Sequence, residues 1–151
     1  MLKKNTMKIN LKHGIDQLVF GMKQNDVIAI YGKPNRNYKD EDDNIIFSYN
    51  SLKMRLTFYR EEDFKLGYIV ASSSDMELFE NKVIGKKISD VKSQLTTKGI
   101  TKFTQEEFDT FENYFNEDNW IIFQTEFDEV VKFEIGAIIN DKDEFDWKFK
   151  S

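Results

Sequence analysis

Phe20-Gly21-Met22-Lys23-Gln24-Asn25-Asp26-Val27 decides how this chain is read, because Ile84-Gly85-Lys86-Lys87-Ile88-Ser89-Asp90-Val91 repeats it in outline. Glycine, lysine, a polar cap residue, aspartate and valine fall in step at an offset of about 64 residues, the mark of a duplicated unit. Asn25 and Ser89 carry side-chain oxygens suited to a helix N-cap. Asp26 and Asp90 follow where the positive end of a helix favours a carboxylate. Val27, Ile30 and Tyr31 then form one apolar stripe, and Gly32 and Pro34 stop the helix, which is expected over about Asp26 to Tyr31. In the second copy Val91 and Leu95 share a face, and Lys98-Gly99 is the stop.

Strand patterns follow each copy. Ile45, Phe47 and Tyr49 alternate, as do Met54, Leu56 and Phe58, and then Leu66, Tyr68 and Val70, predicting a three-strand antiparallel meander. The charged stretches Lys39 to Asn44 and Arg60 to Asp63 are its turns. The second meander is expected over Phe111 to Phe115, Trp120 to Phe127 and Val130 to Ile139, with an extra strand at Ile100 to Thr104. At an offset of 65, Tyr49 meets Tyr114, Phe58 meets Phe123, Arg55 meets Trp120 and Tyr59 meets Gln124. A loose arm is expected at residues 1–8 and a short strand between Lys8 and His13. Phe145, Trp147 and Phe149 alternate as a last strand or a tail docked on the core, or else as an exposed ligand segment.

A half of this chain would be marginal alone, whereas a domain of 151 residues buries roughly 70% of its unfolded surface. The expectation is therefore an α+β fold: two tandem helix-plus-antiparallel-meander repeats packed as one body. Repeat one runs over about 9–75 and repeat two over about 76–150. Whether the meanders share one sheet is left open by the sequence.

Composition narrows the function. Fourteen Phe and a 15% aromatic share favour sheets carrying large rings. A net charge of −5 with no basic stripe argues against nucleic acid and suits a basic partner. The absence of cysteine excludes disulfides and thiolate metal sites. Met1 to Thr6 shows no signal peptide or lipobox, and no membrane span is read, so the cytoplasm is the expected compartment.

Catalytic patterns are sparse. His13 is the one histidine and reads as an ordinary residue near a strand end; no nucleophile elbow or Walker loop occurs. The carboxylate clusters, such as Asp40 to Asp43, fall in expected turns where charge is well solvated; the first lacks the order of a calcium loop. No cofactor and no metal ligand set is assigned.

The outward set of the strands says more. With Met54, Leu56 and Phe58 facing the helices, Arg55, Thr57 and Tyr59 face away. In the second copy Ile121, Phe123 and Phe127 match the inward face, leaving Trp120, Ile122 and Gln124 to face away. Arg, Tyr and Trp are the residues most enriched at interface hot spots. The candidate partner-binding set is therefore Arg55, Tyr59, Trp120, Ile122 and Gln124, with the acidic turn residues Asp40, Asp42 and Asp43.

The spacing Gly21-x4-Asp26-Val27-x4-Gly32-x-Pro34, present in two copies, resembles the tandem β-lactamase-inhibitory-protein-like fold and the related small outer-membrane assembly lipoproteins. The missing lipobox and cysteines depart from both. The resemblance implies a cytoplasmic relative of the bacterial immunity-protein type, which binds and neutralises a cognate toxin without catalysis. A basic, nuclease-like toxin would suit the charge. The alternatives are a structural or scaffold module acting as a homodimer, and an enzyme using a carboxylate pair.

Overall fold

Gly21 and Gly85 each hand the chain to a partner strand by the same two hydrogen bonds. The Gly21 N–H donates to the Leu66 carbonyl at 2.9 Å, and the Leu66 N–H returns to Met22 at 2.7 Å. The Gly85 N–H donates to the Val130 carbonyl at 2.7 Å, and the Val130 N–H returns to Lys86 at 2.9 Å. Both glycines have positive φ, +109° and +85°, which an L side chain rarely adopts. In this computed structural model, which describes residues 6–150, the duplicated motif is thus a strand-tethered turn that leads into a helix.

The elements in chain order are β1 (Met7–Asn10), β2 (Gly14–Ile15), β3 (Leu18–Val19), α1 (Gln24–Tyr31), β4 (Arg36–Lys39), β5 (Ile45–Tyr49), β6 (Met54–Tyr59), a 3₁₀ turn at Arg60–Glu62, and β7 (Lys65–Ala71). There follow β8 (Met76–Leu78), β9 (Asn81–Lys82), α2 (Ile88–Thr96), β10 (Thr104–Glu107), β11 (Glu112–Asn116), β12 (Ile121–Glu126) and β13 (Glu129–Gly136). Strands β4 to β7 and β10 to β13 form one antiparallel sheet in the order β10-β11-β12-β13-β7-β6-β5-β4. The seam is β13 against β7, with Phe133 opposite Ala71 and Ile135 opposite Ile69. A second sheet, β3-β2-β1-β8-β9, has β1 running parallel to β8 with Ile9 opposite Leu78.

The expected α+β class is corrected by this architecture. Among the described residues the chain has thirteen strands and two short helices, of eight and nine residues, so it is predominantly β. The small sheet escapes sequence reading because its strands are two to four residues long, too short to show a period. It also joins residues on either side of the expected boundary near residue 75, through the β1–β8 pairing.

The helices begin slightly earlier than expected. Lys23, not Asn25, flanks α1, and the Asp26 carboxylate accepts the Lys23 backbone N–H at 2.9 Å. Lys87, not Ser89, flanks α2. Gly32 ends α1 with a φ of +79°, and the Tyr49 hydroxyl donates to its carbonyl at 2.7 Å, fixing the helix end to β5. The extra strand lies at Thr104–Glu107, beyond the expected Ile100 to Thr104. Of the arm expected at residues 1–8, the first five lie outside the described residues.

One core lies between the inner face of the large sheet and the layer of helices and small sheet. Phe47, Leu56, Phe58, Ile69, Phe123, Phe133 and Ile135 from the large sheet are fully buried. They cluster with Val27, Val91 and Leu95 of the helices and with Ile15, Leu18 and Met76 of the small sheet. Burying side chains of this size contributes roughly 1.5–3 kcal/mol each, before the entropy of ordering them.

Bulges set which residues match between halves. One falls between Thr57 and Phe58 of β6, the other between Gln124 and Thr125 of β12. Aligning them pairs Thr57 with Gln124, Leu56 with Phe123 and Arg55 with Ile122. The expected pairings of Arg55 with Trp120 and Tyr59 with Gln124 are therefore two residues out of step. A slip of two keeps every side chain on its face, which is why the alternation pattern did not reveal it.

Candidate functional site

The outer face of the large sheet, opposite the core, is built from the residues that alternate with it. Arg55 stands on β6 between Ser48 of β5 and Val70 of β7. It is exposed and makes no ion pair among the described residues. Across the seam the Tyr68 hydroxyl donates to the Glu134 carboxylate at 2.5 Å. Burial, reinforced by that carboxylate, pushes the Tyr68 hydroxyl well above its ordinary range, so it remains a proton donor at any working pH. The centre of the face thus holds a free guanidinium beside a fixed tyrosine–carboxylate pair.

The second half supplies the other side. Ile122 lies between Phe115 of β11 and Glu134 of β13, and Gln124 lies between Asn113 and Lys132. Trp120 sits in the turn before β12 with a φ of +47°. Its ring meets Phe115 edge-on, with centroids 5.0 Å apart, and covers Gly136, where a Cβ would collide with it. Trp120 stays 36% exposed, so one surface of the ring is available.

The structure divides the candidate residues. Arg55, Ile122 and Gln124 share the outer face, and Trp120 borders it. Tyr59 occupies the end of β6 but its ring is taken: it lies over Gly67, and Phe145 of the C-terminal tail packs on it at 5.6 Å. Burial pushes its hydroxyl up to about 12. Asp40, Asp42 and Asp43 lie in the β4–β5 turn. Asp40 is the turn's own fastener, its Oδ1 accepting the Asp42 and Asn44 N–H groups, each at 2.9 Å. Desolvation works against its charge, but these hydrogen bonds and that of the Asn44 side chain win and hold the carboxyl below its ordinary range. Asp42 and Asp43 are exposed.

These acids open onto a cleft of about 530 Å³, lined by Glu41, Asp42, Asp43, Glu61, Glu62 and the Tyr59–Phe145 ridge. On the far side of that ridge a second cleft of about 660 Å³ is bordered by Glu117, Asp118, Asp143, Trp120 and Ile139. The sequence reading missed Tyr68, Glu134, Phe115 and Lys132 as members of the outer face. Tyr68 alternates with Leu66 in the sequence, and the register shift between Thr57 and Phe58 places it opposite Thr57 on the outer face. No group of three or more His, Cys, Asp or Glu among the described residues is arranged to hold a metal ion. None of their helices is long and apolar enough to cross a membrane.

No protein-family model matches the chain, and no curated protein matches it. Among solved structures it is similar to an extracellular protein containing an SCP domain from Bacillus anthracis str. Ames, at 14% identity and a TM-score of 0.48. The match covers 76% of this chain and 42% of that one, so the chain spans less than half of that protein's length. A likeness this distant says nothing of partner or activity.

Proposed function

We propose that this chain is a non-catalytic protein-binding protein that engages its partner with the outer face of the eight-stranded sheet. The observation that supports this is the set of Arg55, Ile122 and Gln124, aligned across β6 and β12 on the face opposite the core. An unpaired guanidinium beside rigid, half-covered apolar groups has the composition of a hot spot, with strands holding each side chain in place. The exposed acids Asp42 and Asp43 at one end give the field that would draw in a basic partner. The concrete form of the reading is a cytoplasmic immunity protein of bacterial type. Its partner would be a basic, nuclease-like toxin covered by the sheet face. A standard interface burying about 1,600 Å² in total would take up much of that face.

The test is affinity capture from the native cell with three baits: wild type, Arg55→Glu and Ile122→Asp. Both positions project away from the core, so the variants should fold. A stoichiometric protein held by wild type and lost from both variants supports the reading. Equal capture by all three removes the sheet face from the interface. The homodimer alternative uses the same face and predicts a wild-type dimer in sedimentation that Ile122→Asp dissociates.

A further inference from the structure

The C-terminal tail covers one of two matching surfaces and leaves the other bare. At the first, the Phe149 N–H donates to the Phe20 carbonyl at 3.0 Å. The Cβ atoms of Trp147 and Phe149 lie 3.3 Å from where a side chain on Gly21 would begin. The Trp147 ring lies under the Lys65 ammonium, 5.6 Å from its centroid. The shared hydrogen bonds of Gly21 with Leu66 and of Gly85 with Val130 fix the counterparts: Ile84 for Phe20, Gly85 for Gly21, Glu129 for Lys65. Among the described residues a Cβ at Gly85 would meet nothing within 4 Å. Among the described residues no backbone N–H outside the regular elements reaches the Ile84 carbonyl. Two residues before Glu129, Phe127, expected from the sequence on the inward face, is instead 100% exposed, in a left-handed conformation with a φ of +51°.

We propose that this second surface, around Ile84, Gly85 and Phe127, binds an extended segment of a partner protein carrying aromatic residues two apart with a basic residue between them. The occupied copy supplies the template, since Trp147-Lys148-Phe149 has that pattern. A backbone passing over a side-chain-free glycine can reach the carbonyl before it, and rings at alternate positions flank the crossing. Charge refines the choice. Lys65 in the first copy is replaced by Glu129 in the second, and the exposed Glu126 and Asp128 adjoin it, while the exposed Lys86 and Lys87 follow Gly85, so cations are favoured on the Glu129 side of the second copy. The proposal needs only that the chain binds protein segments; it does not depend on the sheet face.

The experiment is a titration of full-length, ¹⁵N-labelled protein with the synthetic peptide Phe-Lys-Trp-Lys-Phe-Lys, alongside a control peptide with alanine at each ring. The expected result is saturable shifts centred on Gly85, Asp128 and Glu129, absent with the control. Affinity should fall about tenfold or more in Phe127→Ser and again in Glu129→Lys. Both are exposed positions whose folding is checked by the unchanged remainder of the spectrum. Shifts centred on Gly21 would mean that the peptide displaces the tail instead, and would overturn the proposal. So would concentration-dependent shifts at Gly85 without peptide, which would mark a second copy as the occupant. No shift, or shifts unchanged in both variants, would also overturn it. The Arg55→Glu variant should bind the peptide as wild type does, which separates this site from the sheet face.

Discussion

Leu66 and Val130 occupy the same place in the two halves of the large sheet, each fully buried and each tied to a glycine turn. What lies outside them differs. The turn before Leu66 is Asp63-Phe64 and the turn before Val130 is Phe127-Asp128, all four residues with positive φ. In the first, Phe64 packs against the core, and Asp63 faces Lys23 at 2.5 Å, an exposed pair of small worth. In the second the order of ring and acid is reversed, and the ring stands in solvent. Backbone hydrogen bonds are common to both halves because they determine the fold. The side chains on top are free to differ, so the differences point to function.

The sharpest way to break the comparison is to empty the core on either side of the seam. Phe123→Ala should cost about 3–5 kcal/mol and its counterpart Leu56→Ala about 2–5 kcal/mol. Because one sheet spans both halves, each variant should still unfold in one transition by denaturant. Two separate transitions would show that the halves are independent.

The glycines come next. Gly85→Ala meets only backbone strain, about 1–2 kcal/mol. Gly21→Ala meets the same strain and also crowds Trp147 and Phe149, so it should be the more destabilising and should alter tryptophan fluorescence. Equal effects with unchanged fluorescence would remove the tail from Gly21.

Alkaline titration reads the covered half. Tyr59 is half-buried, and that burial raises its hydroxyl to about 12, so the unfolded chain loses that proton first, near pH 10. The stability it contributes is present below pH 10 and is lost as pH rises towards 12. Tyr59→Phe should make that part of the stability–pH curve less steep.

The smallest effect is a gain. Phe127→Asn replaces an exposed ring with a residue that tolerates the left-handed region and should stabilise by up to about 1 kcal/mol. A loss of similar size would mean that the ring makes contacts in the free protein.

Much of this was legible because glycine and alternation act locally. The Gly21 and Gly85 turns, both helices and the strands from Ile45 to Val70 follow from residues within a few positions of one another. The predominantly β class was not legible, since pairings such as Gly14–Val19 in β2–β3 carry no pattern. Nor was β10, whose Thr104-Gln105-Glu106-Glu107 has no apolar face because it is a wholly exposed edge. At the candidate site, Arg55, Ile122 and Gln124 could be placed from alternation alone. The loss of Tyr59 to Phe145 could not, because it depends on a contact between residues 86 positions apart.

The β7–β13 seam also governs the order of events as the molecule assembles. Its paired residues are 62 to 68 positions apart, against 11 for Thr57 and Tyr68 in the neighbouring hairpin. Closing the longer loop costs roughly 1.5 kcal/mol more in chain entropy. The hairpins should therefore form first and the seam last, on the slow side for a chain of this length. Until it closes, each half presents a bare apolar strand edge, Ile69 and Ala71 on one and Phe133 and Ile135 on the other. At high concentration the nearest complementary edge can belong to another molecule, and exchange of whole halves between chains is the misassembly to watch for during refolding.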